Sequence, residues 1–210
     1  MRQSSRGQKK ARKKQILYMA IALFLVLGLV LSAVLGFVDF LTGEKNFGQA
    51  EDPQLVEMEK RVASLEEALE QNPGDGALAV ELGNLCYNMA TISWQQGFED
   101  QGDKYGRQSR EYLIRAVENG EISPEITLNI ALLALSQNDY DVAEEYFQET
   151  LALDEENSVA HLYYGIFLSG LKREDEAKEQ WGKVLEYAPE DSSEAQAAQY
   201  YLSISQEEKP

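Results

Sequence analysis

The chain has a single cysteine, Cys86, and a single histidine, His161, among its 210 residues. One cysteine excludes an intrachain disulfide and any cysteine-cluster metal site, and one histidine leaves neither a multi-histidine zinc centre nor a conventional histidine-based triad with partners. Basic residues are scarce as well: 19 Lys and Arg face 36 Asp and Glu, a formal charge of −17. Seven of them, Arg2, Arg6, Lys9, Lys10, Arg12, Lys13 and Lys14, sit in the first fourteen positions, so the rest of the chain carries 12 basic against 36 acidic residues, −24. A surface that acidic repels phosphate backbones, which excludes nucleic acid as a partner of everything beyond the basic tail. Glycine-rich phosphate loops, H-E-x-x-H and G-x-S-x-G are also absent. The carboxylates of Glu144-Glu145 and Asp154-Glu155-Glu156 fall where charge runs mark solvated helix faces and turns. Neither a nucleophile–base pair nor a metal set can be assembled, so the reading is a non-enzyme with no catalytic residue, no cofactor and no metal.

One feature in the other direction is a long apolar run. From Ile16 to Val38 the chain has 23 residues without a charge, broken only by Tyr18 and Ser32. At 1.5 Å per residue this length crosses a hydrocarbon core of about 30 Å, which predicts a transmembrane helix over 16–38 behind a basic tail over 1–15. The competing reading is a cleaved signal peptide, but such a peptide has an apolar core of about 7–15 residues and a small-x-small site. Only Val34-Leu35-Gly36 offers such a site, and no cysteine directly follows for a lipoprotein. Seven basic residues before the span, against Asp39, Glu44, Lys45, Glu51 and Asp52 after it, place the N-terminus inside. The expectation is a single-pass protein of the cytoplasmic (plasma) membrane, touching the bilayer through 16–38, with everything after Val38 outside. Gly28, Ser32 and Gly36 share one helix face, which is either a small-xxx-small surface for a homodimer or ordinary lipid-facing sequence.

Residues 39–52 keep no sustained period and read as a linker. Pro53 then opens a lead helix over 53–71, in which Leu55, Met58, Val62, Leu65 and Leu69 recur at 3,4,3,4 spacing until Asn72-Pro73-Gly74-Asp75. Further on, Ala143 and Ala177, Phe147 and Trp181, and Leu151 and Leu185 are each 34 residues apart, and another step back reaches Leu113, Ala116 and Val117. Asn138-Asp139-Tyr140 and the stretch from Lys172 to Asp175 supply turns before Ala143 and Ala177. Each copy reads as helix, short turn, helix, a unit that buries its apolar face only by stacking on its neighbours. The fold class is therefore all-α: the membrane span, then an α-solenoid of about three helix pairs over 76–123, 124–157 and 158–191. Flanking helices are expected at 53–71 and, as a polar cap beginning at Asp191 and running through Ala195, Ala198, Tyr201 and Leu202, at 192–207. From Leu82 to Ala116 the first pair is longer by about 14 residues, around 94–106, than the tetratricopeptide repeats that these copies resemble imply. That insert, with Trp94, Phe98 and Tyr105, is either a projecting binding loop or a lengthening of both helices.

These copies resemble tetratricopeptide repeats, whose pattern is W-x-x-L-G-x-x-Y in the first helix and A-x-x-x-F, then A and P, in the second. The copy over 158–191 keeps Tyr164-Gly165, Ala177, Trp181, Leu185 and Pro189, with His161 in place of the tryptophan. The copy over 124–157 keeps Ala143, Phe147 and Leu151, with Ile130-Ala131 for Leu-Gly, and the first copy has Leu82-Gly83 and Cys86 in the tyrosine position. His161 and Cys86 accordingly read as packing residues. The resemblance covers about 55–207 and implies that the first helices line a groove holding a peptide. Carried onto this chain, the groove positions are Val80, Glu81, Asn84, Tyr87, then Glu125, Leu128, Asn129, Leu132, then Val159, Leu162, Tyr163 and Ile166.

Chaperone-binding relatives clamp a terminal carboxylate with two asparagines and three cations. Asn84 and Asn129 match the asparagines, while Val80, Val159 and Tyr163 stand where the cations belong. The partner implied is a protein or peptide with an apolar segment and basic flanks for Glu81 and Glu125. Alternatively, some of the apolar positions pack only against the neighbouring repeat. The anchor-plus-repeat layout resembles bacterial envelope proteins that assist secretion, envelope assembly or cytochrome maturation. The expected function is thus a membrane-anchored scaffold or assembly factor acting on the extracytoplasmic side. The alternatives are a chaperone-like holdase for exported polypeptides and, if the topology is reversed, an organelle import receptor.

Overall fold

The computed structural model describes residues 52–207. The basic tail, the apolar run 16–38 with its Gly28, Ser32 and Gly36 face, and the linker up to residue 51 lie outside the described residues. Among those described, no helix is long and apolar enough to cross a membrane. Eight helices follow one another: α1 (Pro53–Gln71), α2 (Gly76–Gln95), α3 (Glu99–Glu118), α4 (Pro124–Ser136), α5 (Tyr140–Leu153), α6 (Ser158–Gly170), α7 (Glu174–Tyr187) and α8 (Ser193–Glu207).

The first helix of each pair starts on a side-chain cap. Asp75 accepts from the Leu78 N–H at 3.0 Å, Ser123 from Ile126 at 3.4 Å and Asn157 from Ala160 at 2.9 Å. Ser192, rather than the Asp191 expected from the sequence, starts α8 by accepting from the Ala195 N–H at 3.1 Å. The second helices α3, α5 and α7 have no such cap. They grow straight out of the turn that closes the helix before them, where Gly97, Asn138 and Lys172 take left-handed φ values of 80°, 59° and 62°. The N–H groups of Phe98, Asp139 and Arg173 then donate back to the carbonyls of Ser93, Ala134 and Leu168 at 2.8, 2.9 and 2.9 Å. This 6→1 closure satisfies the last carbonyls and reverses the chain within three residues.

Between the two helices of a pair lies one repeated contact. Ser109, Ala143 and Ala177 are fully buried, and four residues further on Leu113, Phe147 and Trp181 are 0, 0 and 1 % exposed. These large side chains press on Gly83, Ala131 and Gly165 of the first helices. A Cβ on Gly83 would come within 2.5 Å of Leu113, and one on Gly165 within 2.4 Å of Trp181. Ser109, not Ala116, holds the small position of the first pair, and its hydroxyl donates to the Gly83 carbonyl at 2.8 Å. The Leu151/Leu185 column is looser than expected, since Leu185 is 39 % exposed.

The insert lengthens both helices of the first pair, to 20 residues each against 13 and 14 in the two pairs that follow. Trp94 lies over Gly102, where a Cβ would come within 2.3 Å of its ring, and its indole N–H donates to Asp103 at 3.0 Å. Tyr105 is 3 % exposed, so two of the three aromatics pack inside the hairpin instead of projecting from it. The added length carries α1: Leu55, Met58 and Val62 pack against Met89, Ala90 and Tyr105, and Leu65 and Leu69 against Ala79, Leu82 and Ala116. Three polar ties complete that contact, the Tyr105 hydroxyl to Glu59, the Tyr112 hydroxyl to Glu66 and Arg61 to Glu81.

Along the array α4 touches α6 and α6 touches α8, whereas the second helices make no comparable contact with one another. The array therefore curves with its first helices on the inner side.

Candidate functional site

The inner side is built by α2, α4, α6 and α8. Helices α4 and α6 hold a single charged residue between them, Glu125. Its carboxyl is held below the usual carboxylate range by a hydrogen bond from the Ser123 hydroxyl. Leu128, Leu132, Val159 and Ile166 are half-buried, and three of them, Leu128, Leu132 and Ile166, rest on the core beneath. Val80 and Tyr87 are half-buried in the same way, against Leu69 and Leu82 in one case and Leu113 and Leu133 in the other. Tyr163 stands 39 % exposed. The side-chain amides of Asn84, exposed, and Asn129, half-buried, have no partner among the described residues.

Two expected groove residues change role. Leu162 is 7 % exposed and belongs to the core with Phe147 and Trp181. A step of 100° along the helix separates it from Tyr163, and the lean of α6 against its neighbours turns that step into the boundary between core and surface. Glu81 is tied up by Arg61 of α1, which leaves Glu125 as the unpaired acid of the face.

One surface residue went unanticipated. Leu132, Ile166 and Tyr200 are 34 residues apart, so α8 continues the same column, and Tyr200 is the most open large apolar side chain at 61 %, with Ile204 at 41 %. It meets the edge of Tyr201, which stacks at 5.1 Å on Trp181. Helix α8 thus adds Tyr200 and Ile204 to the exposed polar residues Ser193, Gln196, Gln199 and Ser203 expected of a cap. The signal was present in the 34-residue period, but α8 has no second helix among the described residues to mark it as a repeat.

The remaining candidates for chemistry are packing groups. His161 is 7 % exposed, with Nδ1 at 2.7 Å from Gln180 Oε1, Nε2 at 2.9 Å from the Glu155 carbonyl, and its ring stacked on Tyr187. Cys86 is fully buried, and burial pushes its thiol up to about 12, far from the thiolate that reactive cysteines need. Among the described residues no group of three or more His, Cys, Asp or Glu side chains is placed to hold a metal. What the inner face offers is apolar and aromatic contact, two unpaired amides and one carboxylate.

Family models described as tetratricopeptide repeat match residues 100–158 and 134–199. Among solved structures the chain is similar to YrrB, a TPR protein with an unusual peptide-binding site, at 17 % identity and a TM-score of 0.56 over 74 % of this chain and 73 % of that one. It is also similar to MamA, at 15 % identity and a TM-score of 0.55 over 77 % of this chain and 95 % of that one. A third likeness is to TTC0263, a thermophilic TPR protein of Thermus thermophilus, at 19 % identity and a TM-score of 0.54 over 71 % of this chain and 75 % of that one. No curated protein sequence matches the chain.

Proposed function

We propose that this chain is a protein–protein interaction scaffold, as the match of residues 100–199 to tetratricopeptide-repeat models supports, and that it captures an apolar segment of a partner protein on its inner face and performs no chemistry of its own. The observation that carries the reading is the column Leu132, Ile166, Tyr200 beside Tyr163: apolar and aromatic, half-buried at Leu132 and Ile166, exposed at Tyr163 and Tyr200, and uncharged in a strongly acidic domain. Open aromatic side chains supply most of the binding energy when a partner desolvates them. Asn84 and Asn129 have free donors and acceptors for the peptide groups of an extended segment. Basic flanks on that segment fit Glu125 and the −24 charge beyond the tail, which speeds encounter more than it tightens the complex. The peptide-binding site of YrrB supports a peptide as the class of ligand.

The reading includes the membrane. The charge-free run 16–38 behind seven basic residues supports a tether with the repeats on the extracytoplasmic side. Tethering confines the face near partners in the same bilayer and multiplies weak contacts through effective concentration.

Photocrosslinking tests this in the full chain, with a benzoyl-phenylalanine at position 200 and cells of the native host. A single membrane-associated protein captured saturably, and lost on Tyr163→Asp, is the expected result. Capture indifferent to Tyr163→Asp overturns the inner face as the site; a broad smear of exported chains replaces the scaffold by a holdase. Protease cleavage of the repeats in intact spheroplasts is expected, and full protection overturns the topology.

A further inference from the structure

We propose that a second site, separate from the inner face, lies in the cleft between α3 and the α4–α5 turn, and that it takes an extended acidic peptide. Helix α3 carries Lys104, Arg107, Arg110 and Arg115, four of the ten basic residues between 53 and 207, where the acids number 31. An open cleft of about 560 Å³ runs between Arg107 and Arg110 on one side and Ser136 to Asp139 on the other, and it continues along α3 past Ile114 to Pro73.

Most polar groups of this cleft are already partnered. Arg110 pairs with Asp139 at 2.7 Å, Arg115 donates to the Pro73 carbonyl at 2.8 Å, and Asp103 accepts from the Trp94 indole. Two groups stand apart. Arg107 is exposed and has no partner among the described residues. Gln137, at the end of α4, has both its Oε1 and its Nε2 shut away from solvent with nothing bonded to either. A buried amide with neither hydrogen bond made is costly, and such groups in folded proteins call for an explanation.

The missing partners define the ligand. Gln137 lacks one donor and one acceptor together, which is what one residue of an extended strand supplies in its own N–H and C=O, both on the same edge. A sulfate or a fully ionised phosphate ester offers acceptors alone and would leave Oε1 unpaired. Gln137 lines the cleft with Arg107, and a change of its side-chain rotamer at χ1 or χ2 turns the buried amide toward a peptide lying there. An Asp or Glu next to the residue that pairs with Gln137 then meets the Arg107 guanidinium, whose planar fork suits a carboxylate. Glu111 and Glu118, which line the far part of the cleft, favour a segment that is acidic only at its Arg107 end.

The test uses the full chain in detergent and a fluorescein-labelled octapeptide of four Asp and four Gly residues, the Asp confined to one half and the ends blocked, read by anisotropy. Saturable binding is expected, lost at least tenfold with Arg107→Ala and with the Asn-for-Asp peptide, and unchanged with Tyr200→Ser on the inner face. Gln137→Leu is expected to raise the melting temperature while weakening the peptide, because it removes the unpaired amide and its ligand contact together. Equal binding to wild type and Arg107→Ala overturns the site. Displacement by inorganic phosphate at concentrations matching unlabelled peptide reduces it to a bare anion site and overturns the peptide. Loss of binding in Tyr200→Ser assigns the peptide to the inner face and overturns the separation of the two sites.

Discussion

The α2–α3 pair and the two pairs after it solve one packing problem in different ways. In α4–α5 and α6–α7 the helices are short, 13 and 14 residues, and the large position is aromatic, Phe147 and Trp181. Phe147 stacks on Tyr164 at 5.5 Å and reaches Phe167 at 5.9 Å, so ring volume fills the space between repeats. In α2–α3 the same position is Leu113, the small position is a serine bonded to backbone, and the pair has 20-residue helices with α1 laid along them. Length there stands in for ring volume. The division extends to the surface: the short pairs present an inner face whose one charged residue is Glu125, and the long pair carries the cationic cleft.

The largest effect should come from the point where the two solutions share a requirement. Ala143 is fully buried at the tight contact of α5, and Ala143→Asp strands a carboxylate there at a cost of about 3–5 kcal/mol. Circular dichroism with urea is expected to show α4–α8 unfolded or melting far earlier than wild type; a fully helical mutant of unchanged midpoint would refute the packing register. Ser109→Ala at the equivalent position should cost only about 1 kcal/mol, the usual net value of one buried hydrogen bond.

Next in size is the seam specific to the long pair. Tyr105 and Tyr112 donate to Glu59 and Glu66, and replacing both by Phe should cost about 3 kcal/mol, at the low end for two bonds to charged acceptors. Burial, reinforced by the Glu59 hydrogen bond, pushes Tyr105 up to about 12, and Tyr112 moves the same way. A raised pKa in the folded state means that the contribution is complete below pH about 10, the unfolded value, and is lost as pH climbs toward about 12. Urea midpoints should therefore fall between pH about 9.5 and about 12 in wild type and fall less steeply in the double Phe variant. Parallel curves would show that the tyrosines do not hold α1.

How much of this is legible in the sequence differs between the two regions for physical reasons. The 34-residue period exposes Phe147, Trp181 and Ala143 because their demands are local: volume, smallness and helix spacing. Ser109 escapes it because a polar residue in a small apolar column makes sense only once the Gly83 carbonyl is known to lie 2.8 Å away. Leu162 reads as surface from spacing alone because the choice between it and Tyr163 depends on how repeats tilt, which spacing does not encode. Tyr200 belongs to the period, yet its helix reads as a polar cap for want of a second helix after it. The amide of Gln137 has no signal at all, since only the coordinates reveal that its partners are missing.

A smaller effect tests how the pairs are ordered. Arg110 meets Asp139 at 2.7 Å, and one repeat on, at the same two positions, Glu144 meets Arg173 at 2.6 Å with the signs reversed. Stacking in the wrong order would set Arg110 beside Arg173, or Glu144 beside Asp139. Arg110→Glu should cost about 1 kcal/mol, the pair being partly exposed, and adding Asp139→Arg should restore most of it. Additive losses in the double variant would deny any coupling.

The smallest effect compares the turns. Gly97 and Lys172 occupy the same left-handed position after α2 and α6, at φ 80° and 62°. A lysine pays for that conformation with a Cβ set against the following carbonyl, about 1 kcal/mol, while glycine takes it freely. Nothing lies within 4 Å of a Cβ built on Gly97, so Gly97→Ala isolates the backbone term and should destabilise by about 1 kcal/mol. Lys172→Gly should stabilise by about 0.5–1 kcal/mol, the same term with opposite sign less the extra freedom of glycine in the unfolded chain. Urea midpoints moving in opposite directions would establish that one turn geometry serves both the long and the short pairs. Two shifts of the same sign would mean that the long pair closes by a rule of its own.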